Sequence, residues 1–148
     1  FAEVSPRRAA VLKEHFGYDA LDPTKDGFAE ALAEWAGGEL PDLVVDATGA
    51  KASMDTSYKY ARPGGRIVFV GLFPGSFVID DTHFHLRELE LLVSRTATRE
   101  DFEYVIAHID ELNLANYVSH TCALAESDKA VAEWLKLGPE VFKGCILC

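Results

Sequence analysis

The sequence predicts an α/β fold, in which a parallel sheet is flanked by helices and followed by an α+β tail. Two apolar runs, Leu43 to Val45 and Ile67 to Val70, are rich in β-branched residues and are typical of buried strands. About twenty residues with a helical period separate the two runs. A connection of this length suits a parallel pair, because antiparallel neighbours need only a tight turn.

Two helices are expected before the first of these strands. Ser5-Pro6 supply a hydroxyl cap and a proline at the first helical position, and Gly17 ends this helix. Asp26 is expected to cap the second helix, which stops at Gly37-Gly38. Its apolar stripe predicts three buried side chains: Phe28, Leu32 and Trp35.

The segment from Pro41 to Leu72 is expected to form the centre of the fold, with both of its strands fully buried. Each strand ends in a glycine turn, Thr48-Gly49 after the first and Gly71 after the second. In open α/β sheets, ligands bind beyond the carboxyl ends of the strands, so these turns are candidate ligand contacts. They also have a simpler interpretation as tight turns. The helix between the strands presents one apolar side, formed by Met54, Tyr58 and Ala61.

The second half of the chain begins with an expected edge strand, Leu86 to Val93, in which apolar and charged residues alternate. Such an edge is either solvated or paired with another subunit. Thr98 caps a helix that is expected to end at Asn113. Its expected buried face consists of Phe102, Val105, Ile106, Ile109 and Leu112. The tail is completed by a strand (Tyr117 to Thr121), a helix (Ala130 to Leu137) and a last strand (Cys145 to Leu147).

Composition excludes some classes of partner. The 24 acidic residues outnumber the 14 basic ones, the net charge is −10, and the basic residues are scattered, so we expect no nucleic-acid partner. No apolar run approaches the roughly 20 residues that cross a bilayer. Since no secretory signal opens the sequence either, no membrane partner and a cytoplasmic location are expected.

The sequence suggests no metal ligands. The cysteines, Cys122, Cys145 and Cys148, are odd in number, which favours reduced thiols. Cys145 and Cys148 have CxxC spacing, but in an extended strand their sulfurs point to opposite faces. His83 and His85 lie two positions apart, yet zinc sites need three or four ligands.

Several segments, taken together in order, resemble the zinc-type medium-chain alcohol and polyol dehydrogenases, with the sorbitol, butanediol and sugar-acid branches most similar. The matching segments are EVSPRR (3–8), KEHFGYDALDP, DLVVDATG, RPGGRIVFVGL, HLRELELLVSRTATREDF and KGCIL. The resemblance implies that residues 1–93 form a partial, truncated Rossmann-like NAD(P)-binding domain without its first strand and glycine loop. Residues 94–148 would be the segment that joins the catalytic domain in the family. The sequence contains no GxGxxG motif and none of the family's zinc ligands.

The resemblance implies an activity that these residues do not encode completely. Members of the family are NAD(P)-dependent oxidoreductases that oxidise a secondary alcohol of a polyol or sugar acid, with zinc polarising the alcohol oxygen. Because the catalytic half is absent, we assign no catalytic residue and expect this chain alone to be inactive. Two alternatives are a non-catalytic nucleotide-binding module that dimerises through Leu86 to Val93, and a zinc-free relative similar to quinone reductases.

The resemblance also implies a set of cofactor contacts. Glu3 occupies the position of the acid that binds the adenosine ribose, which favours NAD over NADP, although Arg7 and Arg8 could instead accept the extra phosphate. Thr48 and Gly49 would border the adenosine, Val70 to Leu72 the nicotinamide amide, and Ser94 with Arg95 the nicotinamide end. The expected cofactor-binding residues are Glu3, Ser5, Arg8, Thr48, Gly49, Val70, Gly71, Leu72, Ser94 and Arg95.

Overall fold

The computed structural model describes residues 1–112 and 114–148, and the chain divides into two compact units. One unit contains residues 21–96, and the other combines residues 1–20 with residues 97–148. The first twenty residues therefore group with the carboxyl-terminal segment. The expected domain boundary at residue 93 stays a prediction. Among the described helices, none has the length and apolar character needed to cross a bilayer.

The unit of residues 21–96 is built on a three-stranded parallel sheet in the order β1-β2-β3. In register, Val44 lies opposite Ile67, and Ile67 lies opposite Leu91. The predicted parallel sheet is confirmed. The elements of this unit are α2 (Phe28–Trp35), β1 (Leu43–Asp46), α3 (Lys51–Met54), a 3-10 helix (Ser57–Tyr60), β2 (Arg66–Phe69), α4 (Asp81–Arg87) and β3 (Glu90–Val93).

The core of this unit lies on one face of the sheet. Ile67 and Phe69 are buried there against three side chains from the connection between β1 and β2, namely Met54, Tyr58 and Ala61, as the helical period predicts. The connection is not one continuous helix. The Thr56 hydroxyl donates to the carbonyl oxygens of Ala52 (2.9 Å) and Ser53 (3.2 Å), and such bonds to the preceding turn compete with regular helix geometry.

The opposite face of the sheet is only partly covered, so the expectation of fully buried strands is wrong there. Leu43, Val45 and Leu92 are 52%, 55% and 46% exposed. Successive side chains in a strand point to opposite faces, and only the face that carries Val44 and Ile67 packs against the core.

Two local expectations also need correction in this unit. Helix α2 begins after Gly27, which adopts a left-handed conformation with φ of 77°, and no side chain caps it, so Asp26 is not its N-cap. The start is set by a glycine that tolerates this conformation. Trp35, at the end of the predicted buried stripe, is 60% exposed, whereas Phe28 is buried.

The expected edge strand is shorter than Leu86 to Val93, because Leu86 ends up in helix α4 and β3 begins at Glu90. Asp80 caps α4 by accepting from the backbone N–H of His83 at 3.3 Å. Glu88 then closes the helix in a left-handed conformation. The helix thus includes Leu86 and Arg87, the first two residues of the expected strand.

In the other unit, both predicted caps are confirmed. Ser5 caps α1 and Gly17 ends it, and Thr98 forms a capping box with Asp101 at the start of α5. The predicted helix end at Asn113 lies outside the described residues. The elements are α1 (Pro6–Phe16), α5 (Arg99–Ala107), α6 (Ile109–Leu112), a 3-10 helix (Leu114–Tyr117), β4 (His120–Ala123), a 3-10 helix (Leu124–Glu126), α7 (Ser127–Leu137), a 3-10 helix (Gly138–Glu140) and β5 (Gly144–Leu147).

Strands β4 and β5 form a parallel pair in which Cys122 lies opposite Ile146 and Cys145 lies opposite Thr121. The two cysteines therefore occupy opposite faces of the pair. The predicted buried face of α5 is wrong, because Phe102 and Ile106 are 61% and 65% exposed. A helical apolar period shows which side chains can be buried together, but it does not show whether a neighbour covers them.

His83 is an ionisable group that the fold holds against its core. Its ring lies edge-on to the Tyr58 ring at a centroid distance of 5.5 Å, and its buried Nε2 has no hydrogen-bond partner in the described part of the chain. Burial lowers the pKa of His83, the positive charges of Arg87 and Lys59 act in the same direction, and Asp80 opposes them. The folded state therefore favours the neutral imidazole.

We expect acid to weaken the fold through His83. As the pH falls below the ordinary histidine value of about 6.5, the unfolded chain takes up this proton before the folded chain does, so the free energy of unfolding decreases. Urea denaturation at pH 7.0 and pH 5.0 measures this effect, and His83→Gln should show a smaller loss than the wild type. An unchanged pH dependence in His83→Gln would contradict the assignment.

Candidate functional site

The carboxyl ends of the three parallel strands meet at one edge of the sheet, which we call the carboxyl edge. The turn at Thr48 follows β1, the turn at Gly71 follows β2, and Ser94 follows β3. The backbone N–H of Ser94 donates to the Phe69 carbonyl at 2.9 Å, which joins the last two ends. The carboxyl edge thus holds seven of the predicted cofactor contacts: Thr48, Gly49, Val70, Gly71, Leu72, Ser94 and Arg95.

The turn after β1 is organised by the carboxylate of Asp46, which is only 3% exposed. One carboxylate oxygen, Oδ1, accepts from the Thr48 backbone N–H (3.0 Å) and from the Thr48 hydroxyl (2.7 Å). The other oxygen, Oδ2, accepts from the Ser53 hydroxyl at 2.6 Å. The Thr48 hydroxyl in turn accepts from the backbone N–H of Ala50 at 3.1 Å. One side chain therefore connects the end of β1, its turn and the start of α3.

Asp46 is ionised in the folded protein at neutral pH. Burial raises the pKa of its carboxyl group, but the hydrogen bonds from Ser53 and Thr48 together outweigh this effect and hold the pKa below its ordinary value. The carboxyl edge consequently contains a buried negative charge that is stabilised by the hydrogen-bond donors of Thr48 and Ser53.

The turn after β2 is fitted closely against the turn after β1. The Asp46 carbonyl accepts from the backbone N–H groups of Val70 (2.9 Å) and Gly71 (3.0 Å). A Cβ atom on Gly71 would lie 2.1 Å from the Gly49 nitrogen, and one on Gly49 would lie 2.9 Å from the Leu72 oxygen. Both glycines are therefore required by close backbone approach, beyond any need for a tight turn.

The loop that follows Leu72 is anchored to the core side of the unit. Asp55 accepts from the Val78 backbone N–H at 2.8 Å, and the Tyr58 hydroxyl accepts from the Asp80 N–H at 3.0 Å. Phe77 packs edge-on against Phe69 at a centroid distance of 5.1 Å. Leu72 itself is 83% exposed, so the turn presents an apolar side chain to solvent beside the two glycines.

Glu3, Ser5 and Arg8, the other predicted contacts, belong to the unit of residues 1–20 and 97–148. Glu3 accepts from the Ser5 backbone N–H at 2.8 Å, and the Ser5 hydroxyl accepts from the Arg8 N–H at 3.4 Å. Arg7 forms an ion pair with Glu140 at 2.8 Å. The guanidinium groups of Arg7 and Arg8 lie 5.9 Å and 5.3 Å from the centroid of the Phe142 ring. The Glu3 carboxylate is thus held at the amino end of α1, and Arg7 and Arg8 lie beside Phe142.

A separate depression lies at the opposite, amino-terminal end of the strands. Arg62 in its lining is paired with Asp42, and Arg87 donates to the Ala61 carbonyl at 3.0 Å. Its lining consists of Glu39, Leu40, Arg62, Pro63 and Arg87. These residues precede the strands, so the depression is distinct from the carboxyl edge.

The zinc that the resemblance implies finds no ligand set among residues 1–112 and 114–148, where no group of three or more His, Cys, Asp or Glu side chains is placed to hold a metal ion. His85 lies 3.1 Å from an Asp81 carboxylate oxygen on the surface, while His83 faces Tyr58. The described side chains do not fit a zinc site of this family.

Asp46 and Ser53 are site residues that the sequence reasoning missed. A signal for Asp46 was present, because an Asp-x-Thr pattern commonly folds into a side-chain-stabilised turn. The same pattern occurs at Asp22-Pro23-Thr24, where Asp22 accepts from the Thr24 N–H (2.9 Å) and hydroxyl (2.6 Å). The role of Ser53 depends on how α3 approaches the end of β1, and no local pattern predicts that approach.

We expect Gly71→Ala to disrupt the carboxyl edge, because the added methyl group meets the backbone of Gly49 and not a flexible side chain. Overpacking of this kind typically costs about 1–3 kcal/mol, and with rigid backbone on both sides we expect the upper end of that range. Urea denaturation followed by circular dichroism measures the loss.

Gly37→Ala is the matched control in the same unit. Gly37 has φ of 94° but open space around a new Cβ, so this variant reports left-handed strain alone, about 1–2 kcal/mol. NMR shifts of the Thr48 and Gly49 amides should change in Gly71→Ala and not in Gly37→Ala. Wild-type shifts at these amides in Gly71→Ala would contradict the close fit of the two turns.

Comparison with known sequences places this chain in one family. A family model described as "Zinc-binding dehydrogenase" matches residues 1–111. The chain is 38% identical over 104 residues to L-galactonate-5-dehydrogenase of Escherichia coli K12, covering 70% of this chain and 31% of that enzyme. It is 31% identical over 87 residues to D-xylulose reductase of Scheffersomyces stipitis, covering 59% of this chain and 24% of that enzyme. The chain therefore spans about a third or less of these two relatives.

Solved structures share the fold at lower sequence identity. The chain superposes on 2R,3R-butanediol dehydrogenase of Bacillus subtilis with a TM-score of 0.85 and 19% identity, covering 99% of this chain and 42% of that one. It also superposes on a protein described as a short chain alcohol dehydrogenase of E. coli CFT073, in complex with NADH, with a TM-score of 0.78 and 21% identity over 98% of this chain and 42% of that one. These likenesses confirm the Rossmann-like α/β fold. With a family model matching residues 1–111 of its 148, the chain belongs to the zinc-binding dehydrogenase family.

Proposed function

We propose that the protein containing this chain is an NAD-dependent dehydrogenase that oxidises a secondary alcohol of a sugar acid or polyol. The observation that carries this proposal is the 38% identity to L-galactonate-5-dehydrogenase. The 31% identity to D-xylulose reductase supports the same class of substrate. When bound, NAD would supply the hydride acceptor for oxidation of the secondary alcohol to a ketone, with release of the hydroxyl proton.

In this proposal, the carboxyl edge forms one wall of the cofactor site. Thr48 and Gly49 border the adenosine, and backbone groups of Val70 to Leu72 meet the nicotinamide amide. Ser94 and Arg95 close the nicotinamide end. The parallel strands support this assignment because ligands of open α/β sheets bind at the carboxyl ends. The exposed Leu72 supports it further, since it offers an apolar surface to a planar ring.

NAD is the proposed cofactor, in preference to NADP. Glu3 would accept hydrogen bonds from the adenosine ribose, and its negative charge would repel a 2′-phosphate. The ion pair between Arg7 and Glu140 supports this preference, because it already compensates one of the two cations that could have received that phosphate.

The 148-residue chain alone is proposed to be inactive. No zinc ligand set lies among the described residues, and the proton relay of the family would come from residues outside this sequence. A homo-oligomer through β3 is proposed in addition. It is supported by the end position of β3 in the sheet and by Val93, which is 76% exposed.

Expression of the natural reading frame, with whatever precedes Phe1, tests the proposed activity. We expect NADH formation at 340 nm with L-galactonate or a polyol such as xylitol, and no turnover by the purified 148-residue chain. Turnover by that chain would contradict its proposed inactivity. Reduction of quinones with NADPH, in the absence of polyol oxidation, would instead establish the alternative of a quinone-reductase-like enzyme.

Replacement of Glu3 tests the cofactor preference. In the same active protein, Glu3→Ala should raise the ratio of kcat/KM for NADP to that for NAD by about tenfold, equivalent to about 1.4 kcal/mol of lost discrimination. Glu14→Ala, which removes an exposed acid from helix α1, is the control and should leave this ratio unchanged. An unaltered ratio in Glu3→Ala would remove Glu3 from the cofactor site.

A further inference from the structure

The two glycine turns at the carboxyl edge belong to different strands, yet their contacts converge on one residue. The Asp46 side chain binds Thr48 and Ser53, and the Asp46 carbonyl accepts from Val70 and Gly71. Asp46 thus takes part in the hydrogen bonds of both turns. Its own surface is almost entirely withdrawn from solvent at 3% exposure, so it is placed to support a ligand site without touching the ligand.

We propose that Asp46 is a positioning residue. Its buried carboxylate sets the conformation of the Thr48–Ala50 turn and thereby the position of the Gly49 backbone, which packs closely against Gly71 and Leu72. The part of this inference that concerns cofactor affinity rests on the proposed function. The part that concerns the geometry of the turns stands on the hydrogen bonds alone.

The contacts explain how one side chain transmits this control. Asp46 Oδ1 holds both the N–H and the hydroxyl of Thr48, which fixes the rotamer of Thr48. The fixed hydroxyl then accepts from Ala50, the residue that opens α3. Gly49, between these two anchored residues, presents the backbone atoms that lie within 3 Å of a Cβ built on Gly71. A change in the Thr48 rotamer would move Gly49. Because the Gly49 backbone packs closely against Gly71, the turn at Gly71 would have to shift as well.

The chain contains a matched control for this arrangement. Asp22 and Thr24 repeat the same pair of hydrogen bonds in the same unit, at 2.9 Å and 2.6 Å. That turn lies after Leu21 on the surface, and its aspartate pairs with Lys25 at 3.8 Å, whereas Asp46 accepts from the Ser53 hydroxyl. Asp22→Ala therefore removes the same chemistry from a turn that does not support the carboxyl edge.

Amide hydrogen exchange of the 148-residue chain, read by NMR, tests the positioning role. In Asp46→Ala we expect exchange at Thr48, Ala50 and Gly71 to accelerate at least about tenfold, while amides of β4 and β5 keep their wild-type rates. Asp46→Asn should restore most of the protection, because its amide oxygen can accept from Thr48 while its NH₂ donates to a rotated Ser53 hydroxyl. Asp22→Ala should leave the three amides unchanged.

Two outcomes would overturn the positioning role. One is wild-type exchange at Thr48, Ala50 and Gly71 in Asp46→Ala, and the other is an equal acceleration across both units, which would indicate only general destabilisation.

Titration of the same variants with NAD tests the effect of Asp46 on cofactor affinity. Asp46→Ala should weaken NAD binding at least about tenfold relative to wild type and Asp22→Ala. Absence of NAD binding by the wild-type chain would count against the proposed cofactor wall, and the exchange pattern would still decide the role of Asp46.

Discussion

A buried carboxylate is stable only when its hydrogen-bonding capacity is met, and this requirement shapes the carboxyl edge of the sheet. Asp46 ends a strand whose neighbouring residues are apolar, so its partners come from the residues that follow it. Thr48 and Ser53 supply them, and the chain must turn sharply to bring both hydroxyl groups to one side chain. The Thr48–Gly49 turn of the candidate site meets this requirement.

The two turns also illustrate why such a site tolerates little variation in backbone position. Gly49 and Gly71 approach so closely that neither has room for a methyl group. Interiors packed this tightly transmit displacement instead of absorbing it. Contacts from Asp55 and Tyr58 to the following loop extend the same constraint to residues 78–80. The candidate site is consequently a rigid edge whose exposed surface is contributed by a few side chains, Leu72 in particular.

Sequence periodicity predicted elements better than it predicted burial. The strands around Val44 and Ile67, the caps Ser5 and Thr98, and the shared face of Met54 and Tyr58 are all local or periodic features, and they are confirmed. Val45 and Ile106 are apolar at suitable positions but exposed, because burial depends on a neighbour that periodicity does not describe. Helix α4 includes Leu86 and Arg87, the first two residues of the expected strand, and Glu88 ends it. Ser53 reaches Asp46 through tertiary approach alone.

The parallel sheet has a kinetic consequence as well as a structural one. The ion pair between Arg66 and Glu90 joins neighbouring strands across 24 positions, and each strand pair closes a loop of comparable length. The entropy of loop closure must be spent before any interstrand contact compensates for it, which makes such sheets slow to fold. During that interval Leu43, Val45 and Leu92 stay uncovered, as they do in the folded unit. These exposed apolar side chains can promote self-association while the chain refolds. Refolding at low protein concentration and low temperature is therefore favourable, because dilution slows association and cooling weakens hydrophobic contacts.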